Sequence, residues 1–323
     1  MTIFPFMAPR KLGRILKRSV SDFIDNDVLK LSSALAYSTI FSLPGLLIII
    51  MWFTTAFYGK EIVEGTIHEQ IAGFVGANAA NSIEEAMKAS LAGATSKFAR
   101  IVGIVSLVIG ATAVFGEIQS SINMIWKIKS KPKKGRGILR LLINRLLSFS
   151  IIISFGFILL VSLVINGAMD LLVNNFMQRF PDAAVVVVYI VNLVLSFLII
   201  AVIFGMIFKI LPDAKVEWKH VRVGAFTTAF FFMAGKFLIS YYLGHSIMTT
   251  AYGAAGSIIV ILLWVYYSAM ILYFGAAFTR EYAIEMGSRI HPSKYAVWVE
   301  QREISSDKPL SLTPDGKKAA RKE

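Results

Sequence analysis

The sequence predicts an all-α fold, a polytopic membrane protein built as a bundle of six transmembrane helices with its N and C termini in the cytoplasm. Two observations predict it. Six long apolar stretches run through a chain that is 56% hydrophobic, and about 20 apolar residues suffice to cross a bilayer core as a helix. Positive charge is concentrated in alternate segments between these stretches. Because lipid offers backbone groups no partner, each spanning segment is expected to be helical.

The six predicted spans differ in how strongly the residues support them. The first is the clearest, because no Asp, Glu, Lys or Arg occurs between Lys30 and Lys60. The second and the fifth are weaker, since they contain Glu117 and Lys236 respectively. Together the spans make up a transmembrane domain over residues 31–285. They are predicted at about residues 31–58, 101–126, 146–169, 184–209, 222–244 and 254–279.

The orientation follows from the Lys and Arg content of the segments between spans, because basic residues are retained on the cytoplasmic side. One alternating set of segments holds 27 of these residues and the other set holds 5. The basic set comprises residues 1–30, 127–145, 209–222 and 280–323. Both termini are therefore predicted to be cytoplasmic. The net charge of +13 is explained by basic loops that face anionic lipid headgroups, and no nucleic-acid partner is expected.

Three segments outside the spans have a predicted character of their own. Residues 1–30 form a cytoplasmic amphipathic N-terminal segment, because apolar residues recur there at helical spacing opposite several Lys and Arg. Two interpretations of residues 9–30 remain open: a helix that lies in the inner leaflet, or a helix packed on the cytoplasmic loops. The external segment 58–100 is predicted to contain two short amphipathic helices. Residues 286–323 form a cytoplasmic tail that is largely disordered at its end.

The residue types also exclude several classes of activity. The chain has no Cys, which excludes disulfides, thiol nucleophiles and Cys-based metal sites. Its four His are scattered over opposite sides of the predicted membrane, whereas a metal-dependent hydrolase needs clustered ligands. None of the three Gly-Lys pairs is followed by Ser or Thr, so no phosphate-binding loop is present. We expect no catalytic residues, no metal, no cofactor and no enzymatic activity.

Four motifs in the predicted membrane region resemble a known family. They read ALAYSTIFSLP at residues 34–44, QSSINMIW at 119–126, LPDAKVEW at 211–218, and YGAAGS with LLWVY within 252–266. In this order they resemble the YihY/virulence factor BrkB family. The resemblance implies a bacterial inner-membrane protein of six helices, with members linked to serum resistance and to lipopolysaccharide or envelope export.

Two further features that the resemblance implies are not matched by the residues of this chain. An old label of the family is ribonuclease BN, and the scattered His give a ribonuclease no support. Family members often read Gly-Ala-Glu near the end of the last helix, whereas Gly275, Ala276 and Ala277 carry no acid here. Glu281, one turn later, is the nearest acid that could partly replace the missing one.

Two ionisable residues inside the spans are the leading candidates for a substrate or ion pathway, because a charge in a membrane helix is costly. Glu117 lies nine residues before Trp126, about 13 Å along the helix from the inner boundary. Lys236 lies 14 residues after Arg222, about 21 Å from the same boundary. The two charges could pair across the bundle. Alternatively, Glu117 caps the inner end of its helix and Lys236 extends its ammonium to the outer interface.

The remaining candidates come from polar, aromatic, Gly and Pro residues. Four of them belong to the motifs and are added to the pathway: Tyr37, Asn123, Tyr252 and Trp264. Four others are interpreted as hinge or packing positions: Pro44, Gly110, Gly253 and Gly256. A proline inside a span frees a carbonyl one turn earlier and kinks the helix, while small residues let helices approach closely.

The function predicted from the sequence is transport or flipping of a polar or lipid-linked envelope substrate by a multi-pass protein of the bacterial inner membrane. The alternative is a non-transporting scaffold or assembly subunit of an envelope machine. The expected partners are membrane lipids, with anionic headgroups at the cytoplasmic face, together with the lipid-linked substrate. A homo-oligomer is compatible with the sequence.

Overall fold

The computed structural model describes five longer stretches of the chain and three short ones. They are residues 9–42, 97–131, 181–245, 254–288 and 290–300 without 294, with a few helical residues at 77, 80–83 and 85. Within them the chain forms helix α1 over Pro9–Asp25, α2 over 28–42, α3 over Lys97–Ile125, α4 over Pro181–Ile210, α5 over Trp218–His245 and α6 over Ala254–Glu285. Four short strands complete it: β1 Ile128–Ser130, β2 Ala214–Lys215, β3 His291–Pro292 and β4 Ala296–Trp298.

Helix α5 is the centre of the described bundle, because it packs against α4 on one side and α6 on the other. Helices α1 and α3 pack on α6. Three of the described helices contain segments long and apolar enough to cross a membrane, within α4, α5 and α6. The predicted span 101–126 coincides with α3, which is not among those three. The predicted span 146–169 lies outside the described residues.

The fold is mostly helical, as predicted, but the all-α prediction missed four strands. Strand β1 pairs antiparallel with β4, and β2 pairs antiparallel with β3. The strands are only two or three residues long, so they lack the alternating run that reveals a strand in a sequence. These strands follow α3, α4 and α6 in the chain, and their pairing brings the ends of those helices next to the start of α5. We call each strand pair a ribbon and this end of the bundle the ribbon end.

The core of the described structure lies toward the ribbon end. Its largest fully buried side chains include Trp126, directly after α3, Phe208 of α4 and Tyr273 of α6. By contrast, α4 and α5 expose many apolar side chains along their outer faces, including Val194, Phe230 and Leu238. An apolar surface of this extent is not tolerated in water, whereas a lipid bilayer covers it.

Local signals explain where several helices begin and end. Pro181 occupies the first position of α4, where its missing N–H costs nothing, and Pro212 follows its end. Gly287, with φ of 72°, ends α6 as the left-handed residue that commonly terminates a helix. The predicted helical segment 9–30 is interrupted between α1 and α2, where Asp27 has φ of 50°. It is therefore two helices and not one.

Helix α1 packs against the ribbon end of α6, while the two interpretations of this segment, in the inner leaflet or on the cytoplasmic loops, stay predictions. Ile15 is buried with Phe278 and Tyr282. Leu12, Val20 and Ile24 nevertheless remain exposed. Burial of one face therefore leaves a second apolar stripe on the same helix, so packing on α6 does not exclude the inner-leaflet interpretation.

Ion pairs hold α1 in this position. Arg280 on α6 lies 2.6 Å from Asp22, and both side chains are 13% exposed. Arg14 and Arg18 lie 3.0 and 3.4 Å from Glu285. The α1–α6 contact therefore combines buried apolar side chains with charge pairs, of which the largely shielded Arg280–Asp22 pair is expected to contribute most.

Candidate functional site

A cavity opens at the ribbon end, beside the last two turns of α3. Its volume is about 570 Å³, within the usual range for small-molecule sites. One wall is a face of α3, because its residues follow each other at steps of three and four; the other wall is β1 and the chain after β4. The lining residues are Gly116, Gln119, Ser120, Asn123, Met124, Lys127, Ile128, Lys129, Ser130 and Val299.

The buried carboxylate of Asp213 forms hydrogen bonds with the polar residues of this wall. Asp213 is 2% exposed and accepts hydrogen bonds from Gln119 Nε2 at 3.2 Å and Asn123 Nδ2 at 3.1 Å. Ser130 Oγ donates to the same carboxylate. The backbone N–H of Asp213 donates to Asn123 Oδ1 at 2.9 Å. Because a buried charge is tolerated only when it is hydrogen-bonded, this network fixes the polar residues of the cavity wall.

The loop that carries Asp213 is itself held in place by short-range contacts. Lys209 Nζ donates to the carbonyl of Val216 and lies 5.5 Å from the ring centre of Trp218. Ser293 N–H donates to the carbonyl of Asp213 at 2.9 Å. A hydrogen bond from Lys219 and its positive charge lower the pKa of the Glu217 carboxyl. The loop between α4 and α5 therefore has a defined shape and brings Asp213 under α3.

Trp126 anchors the end of α3 against α6. Its side chain is fully buried, and its indole Nε1 donates to the carbonyl of Ala276 at 2.9 Å. Ala276 and Ala277 are both fully buried. The family's usual Glu at position 277 would therefore place a carboxylate in a packed region here. Glu281 is 7% exposed and accepts from Arg280 at 2.6 Å.

The structure places Glu117 on a different face of α3 from the cavity. Glu117 is half-buried and accepts from Ser121 Oγ at 3.4 Å. Tyr273, fully buried on α6, lies beside Ser121 and Glu117. Glu117 thus faces the α3–α6 contact and not the wall formed by Gln119 and Asn123. The predicted role of Glu117 in a pathway stays a prediction.

Lys236 and Trp264 lie on α5 and α6, toward the middle of these helices. Lys236 is partly buried. Its neighbour Gly235 lies directly under the hydroxyl of Tyr267, where a Cβ would have no room. Trp264 is half-buried and packs edge-on against Phe232, with ring centres 5.9 Å apart. Neither Lys236 nor Trp264 lines the cavity, and the pairing of Lys236 with Glu117 stays a prediction.

The remaining sequence candidates lie apart from one another. Tyr37 is 63% exposed on α2 and packs edge-on against Phe41. Gly110 lies where α2 and α3 approach closely, since a Cβ on it would meet Ser42 at 2.5 Å; its predicted role as a hinge or packing position stays a prediction. Gly256 is buried in α6. Pro44, Tyr252 and Gly253 lie outside the described residues.

Of the predicted pathway residues that the structure describes, only Asn123 lines the cavity. Gln119, Ser130, Lys127 and above all Asp213 were not predicted from the sequence, although a signal was present. Two of the quoted motifs, at 119–126 and 211–218, contain Gln119, Asn123 and Asp213, and the structure brings these motifs into contact. Within the described part of the chain, no group of three or more His, Asp or Glu is arranged to hold a metal ion.

Comparison with known proteins identifies the family. The family model described as "Virulence factor BrkB" matches residues 19–296, most of the chain. This chain belongs to the virulence factor BrkB family. The resemblance drawn from the four motifs is confirmed, and both motifs that form the cavity wall lie inside the match. The chain is an integral, multi-pass membrane protein.

Several relatives are named UPF0761 membrane proteins. One from Pseudomonas paraeruginosa is 27% identical over 79% of this chain and 59% of its own length. One from Pseudoalteromonas atlantica is 27% identical over 76% of this chain and 78% of its own, and one from Haemophilus influenzae is 26% identical over 79% and 89%. The chain thus spans less than two thirds of the Pseudomonas relatives it matches. No solved structure matches the chain significantly.

Proposed function

We propose that this protein of the bacterial inner membrane transports or flips a polar or lipid-linked envelope substrate. The observation that carries the proposal is the polar cavity of about 570 Å³ at the ribbon end. The positive charge of the adjoining segments supports a cytoplasmic position for this end. A polar cavity at the inner boundary of a membrane bundle is where a substrate headgroup would enter from the inner leaflet.

The lining of the cavity supports a substrate with both polar and apolar parts. Gln119, Ser120 and Asn123 supply amide and hydroxyl groups, while Met124 and Val299 supply apolar surface. Ligand sites commonly combine an apolar lining with a few fixed polar groups. Such a lining suits the headgroup and glycerol region of a lipid better than a bare ion.

The energy source must come from outside the protein's own chemistry. The sequence has no phosphate-binding loop, and nucleotide hydrolysis requires one or an equivalent nucleotide site. The proposed movement is therefore downhill, or driven by an ion gradient or a partner. A downhill flippase equilibrates its lipid between leaflets without added energy, which makes the proposal testable with purified protein.

The first prediction concerns the space inside the cavity. Gly116 lines it, and a Cβ built on Gly116 meets no atom within 4 Å. Gly116→Phe should therefore fill part of the cavity without a clash, and should slow lipid movement about tenfold, equivalent to roughly 1.4 kcal/mol in the barrier. The measurement is dithionite quenching of NBD-labelled phosphatidylglycerol in proteoliposomes, where functional protein makes inner-leaflet label accessible.

The matched control is Gly13→Phe, because Gly13 is also a helical glycine with no atom within 4 Å of its built Cβ. It lies on α1, away from the cavity, and should leave the rate unchanged. Quenching no faster than in protein-free vesicles would contradict flipping of this lipid. A Gly116→Phe protein as fast as the wild type would show that the cavity is not on the pathway.

The scaffold function is the second candidate, and the tight contact between α5 and α6 favours it. Gly224 and Gly275 each leave no room for a Cβ, since the opposite helix fills the space. Such close packing limits movement between these two helices. If the protein is a scaffold, cells that carry the Gly116→Phe protein should keep the normal envelope phenotype. If it is a transporter, they should lose it.

A further inference from the structure

We infer that Lys127 and Lys129, with the neighbouring side chains of α3, form a binding site for a phosphate ester, the headgroup phosphate of an anionic lipid. This inference rests on the proposed function, because it names the chemistry of the substrate that the same cavity takes. Its support comes from the charge, the backbone and the shape of the site.

The charge of the lining is positive. Among the ten described lining residues, two are lysines and none is an acid. Neither Lys127 nor Lys129 forms an ion pair within the described part of the chain. The nearby acid, Asp213, is buried and accepts hydrogen bonds from Gln119, Asn123 and Ser130. Its carboxylate is thereby engaged behind the wall, so an anion in the cavity meets the two lysines first.

The backbone holds Lys127 at a fixed and unusual position. Its φ is 56°, a left-handed conformation that costs a residue with a Cβ roughly 1–2 kcal/mol. Glycine is the usual residue here, just after the end of a helix. Lys127 N–H donates to the carbonyl of Met124, and the carbonyl of Lys127 accepts from Val299, both at 2.9 Å.

Two effects favour a lysine at this strained position. Its charge opposes the partial negative charge at the C-terminus of α3. It also borders the cavity, and backbone strain is often retained where a residue serves function. The interaction with the helix dipole needs only a lysine whose charge lies near the C-terminus of α3. The functional role needs Lys127 to bind an anion, and the binding experiment below separates these two explanations.

Strand pairing fixes Lys129 nearby. Lys129 lies in β1 opposite Val297 of β4, and both residues are exposed. Lys127 and Lys129 are thus two residues apart on a segment tied down at both ends, because Lys131 N–H donates to the carbonyl of Tyr295 at 2.8 Å. A lysine acts as a compact point charge for phosphate. Two of them on one fixed segment can share the oxygens of a single phosphate.

The shape of the cavity allows more than a phosphate ion. A volume of about 570 Å³ leaves space beside the phosphate for glycerol or sugar, whose hydroxyls match Gln119 and Ser120. The apolar side chains of Met124 and Val299 can contact the start of an acyl chain. A soluble phosphate ester shares the polar part of this chemistry, so the test compares both sources.

The test measures binding by the purified full chain in detergent. The probes are phosphatidylglycerol, diacylglycerol without phosphate, and soluble glycerol phosphate, with dissociation constants obtained by calorimetry. We expect phosphatidylglycerol to bind and diacylglycerol not to bind. The double variant Lys127→Gly with Lys129→Gln should weaken binding at least about tenfold, or roughly 1.4 kcal/mol. Glycine accepts the left-handed backbone, so the fold is retained.

The matched control is Lys215→Gln, because Lys215 is an exposed lysine in a strand of the other ribbon. It should leave binding unchanged, and this outcome excludes a general loss of positive charge. Glycerol phosphate that binds as tightly as the lipid, and depends on the same two lysines, would support the phosphate site with a soluble ester as its source. Unchanged binding of phosphatidylglycerol by the double variant, or equal binding of diacylglycerol, would overturn the inference.

The two proposals fail in different ways. Lysine-dependent binding without any lipid movement in proteoliposomes would contradict the proposed function and leave the phosphate site standing. Lipid movement that Gly116→Phe blocks and the lysine variant does not change would support transport through the cavity and contradict the phosphate site.

Discussion

At the residue scale, Asp213 links three elements that are far apart in the sequence. Its side-chain and backbone hydrogen bonds join the α4–α5 loop to α3 and to β1. Hydrogen bonds to a buried charge are stronger than neutral ones, and their loss leaves several donors without an acceptor. Asp213 therefore stabilises the wall of the cavity without lining it.

The residue-scale prediction replaces this carboxylate by an amide of the same shape. In Asp213→Asn, an NH₂ group replaces one acceptor oxygen and faces the donors of Gln119, Asn123 and Ser130. We expect a loss of about 2–4 kcal/mol in the free energy of unfolding. Thermal unfolding of the detergent-purified protein measures it, as a lower midpoint temperature.

Asp25→Asn is the control for this substitution. Asp25 is exposed and accepts only from Ser21, one turn earlier, at 3.2 Å among the described contacts. Its replacement should change stability by less than about 0.5 kcal/mol, as is usual for surface positions. Equal midpoints for Asp213→Asn and the wild type would show that the carboxylate does not hold the wall.

At the element scale, α5 and α6 cross through a reciprocal pair of Gly and Thr residues. A Cβ on Gly224 would lie within 3.1 Å of three atoms of Thr279, and one on Gly275 within 2.9 Å of three atoms of Thr228. Each Thr hydroxyl donates to the carbonyl of the Gly on its own helix at 2.7 Å. The hydroxyls are therefore satisfied within their helices, and the glycines allow the helices to approach.

The element-scale prediction tests this crossing. Gly275→Ala should lower stability by about 1–3 kcal/mol, because overpacking forces the helices apart. Combining it with Thr228→Ala should recover part of the loss, since two of the three clashing atoms are removed. The measurement is a double-mutant cycle of thermal unfolding, and the coupling should be at least roughly 0.5 kcal/mol.

Gly205→Ala provides the comparison, because its Cβ would make only an ordinary contact of 3.6 Å with Ala225. It should leave stability unchanged or raise it slightly, since alanine favours helix. Additive effects of Gly275→Ala and Thr228→Ala would show that the two positions do not press on each other.

At the scale of the whole molecule, the ribbon end combines the cavity, the two short ribbons and the docked helix α1. Basic residues surround it: Lys127 and Lys129 beside the cavity, and Arg14, Arg18 and Arg280 at the α1–α6 contact. Positive charge of this kind is retained in the cytoplasm and attracts anionic lipid. The phosphate site would then lie at the depth of the inner-leaflet headgroups.

The molecule-scale prediction concerns the side of the membrane on which this end lies. The chain has no Cys, so a single introduced Cys is a unique target for a membrane-impermeant maleimide. Lys215→Cys, at the ribbon end, should be labelled only after the cells are lysed. Asn81→Cys, an exposed residue of the predicted external segment, should be labelled in intact cells. Labelling of Lys215→Cys in intact cells would contradict the six-span topology.

The features that the sequence predicted are those whose signals lie within one segment of the chain. The apolar runs predicted the helices, because the need to satisfy backbone groups in lipid acts on each segment by itself. The prediction of Gly110 as a hinge or packing position also used a local signal, because a small residue lets helices approach closely. The four motifs were enough to recognise the family.

The cavity could not be predicted in the same way. Asp213 and Asn123 are 90 residues apart, and no periodicity connects them. A charged residue inside a span is unusual, so Glu117 and Lys236 were favoured as site residues. The cavity lies instead at the helix ends, where charged residues are common and give no such signal. Strands of two or three residues gave no alternation to detect.

The sequence by itself determined that this protein is a multi-pass helical membrane protein of its family, because the composition and order of apolar segments act locally. Tertiary structure alone decided which residues form the site. Only packing could bring Asp213 under α3, turn Glu117 toward Tyr273, and place Lys127 in a left-handed conformation at the edge of a cavity. Those arrangements depend on contacts between segments far apart in the chain, and such contacts leave no regular pattern in the sequence.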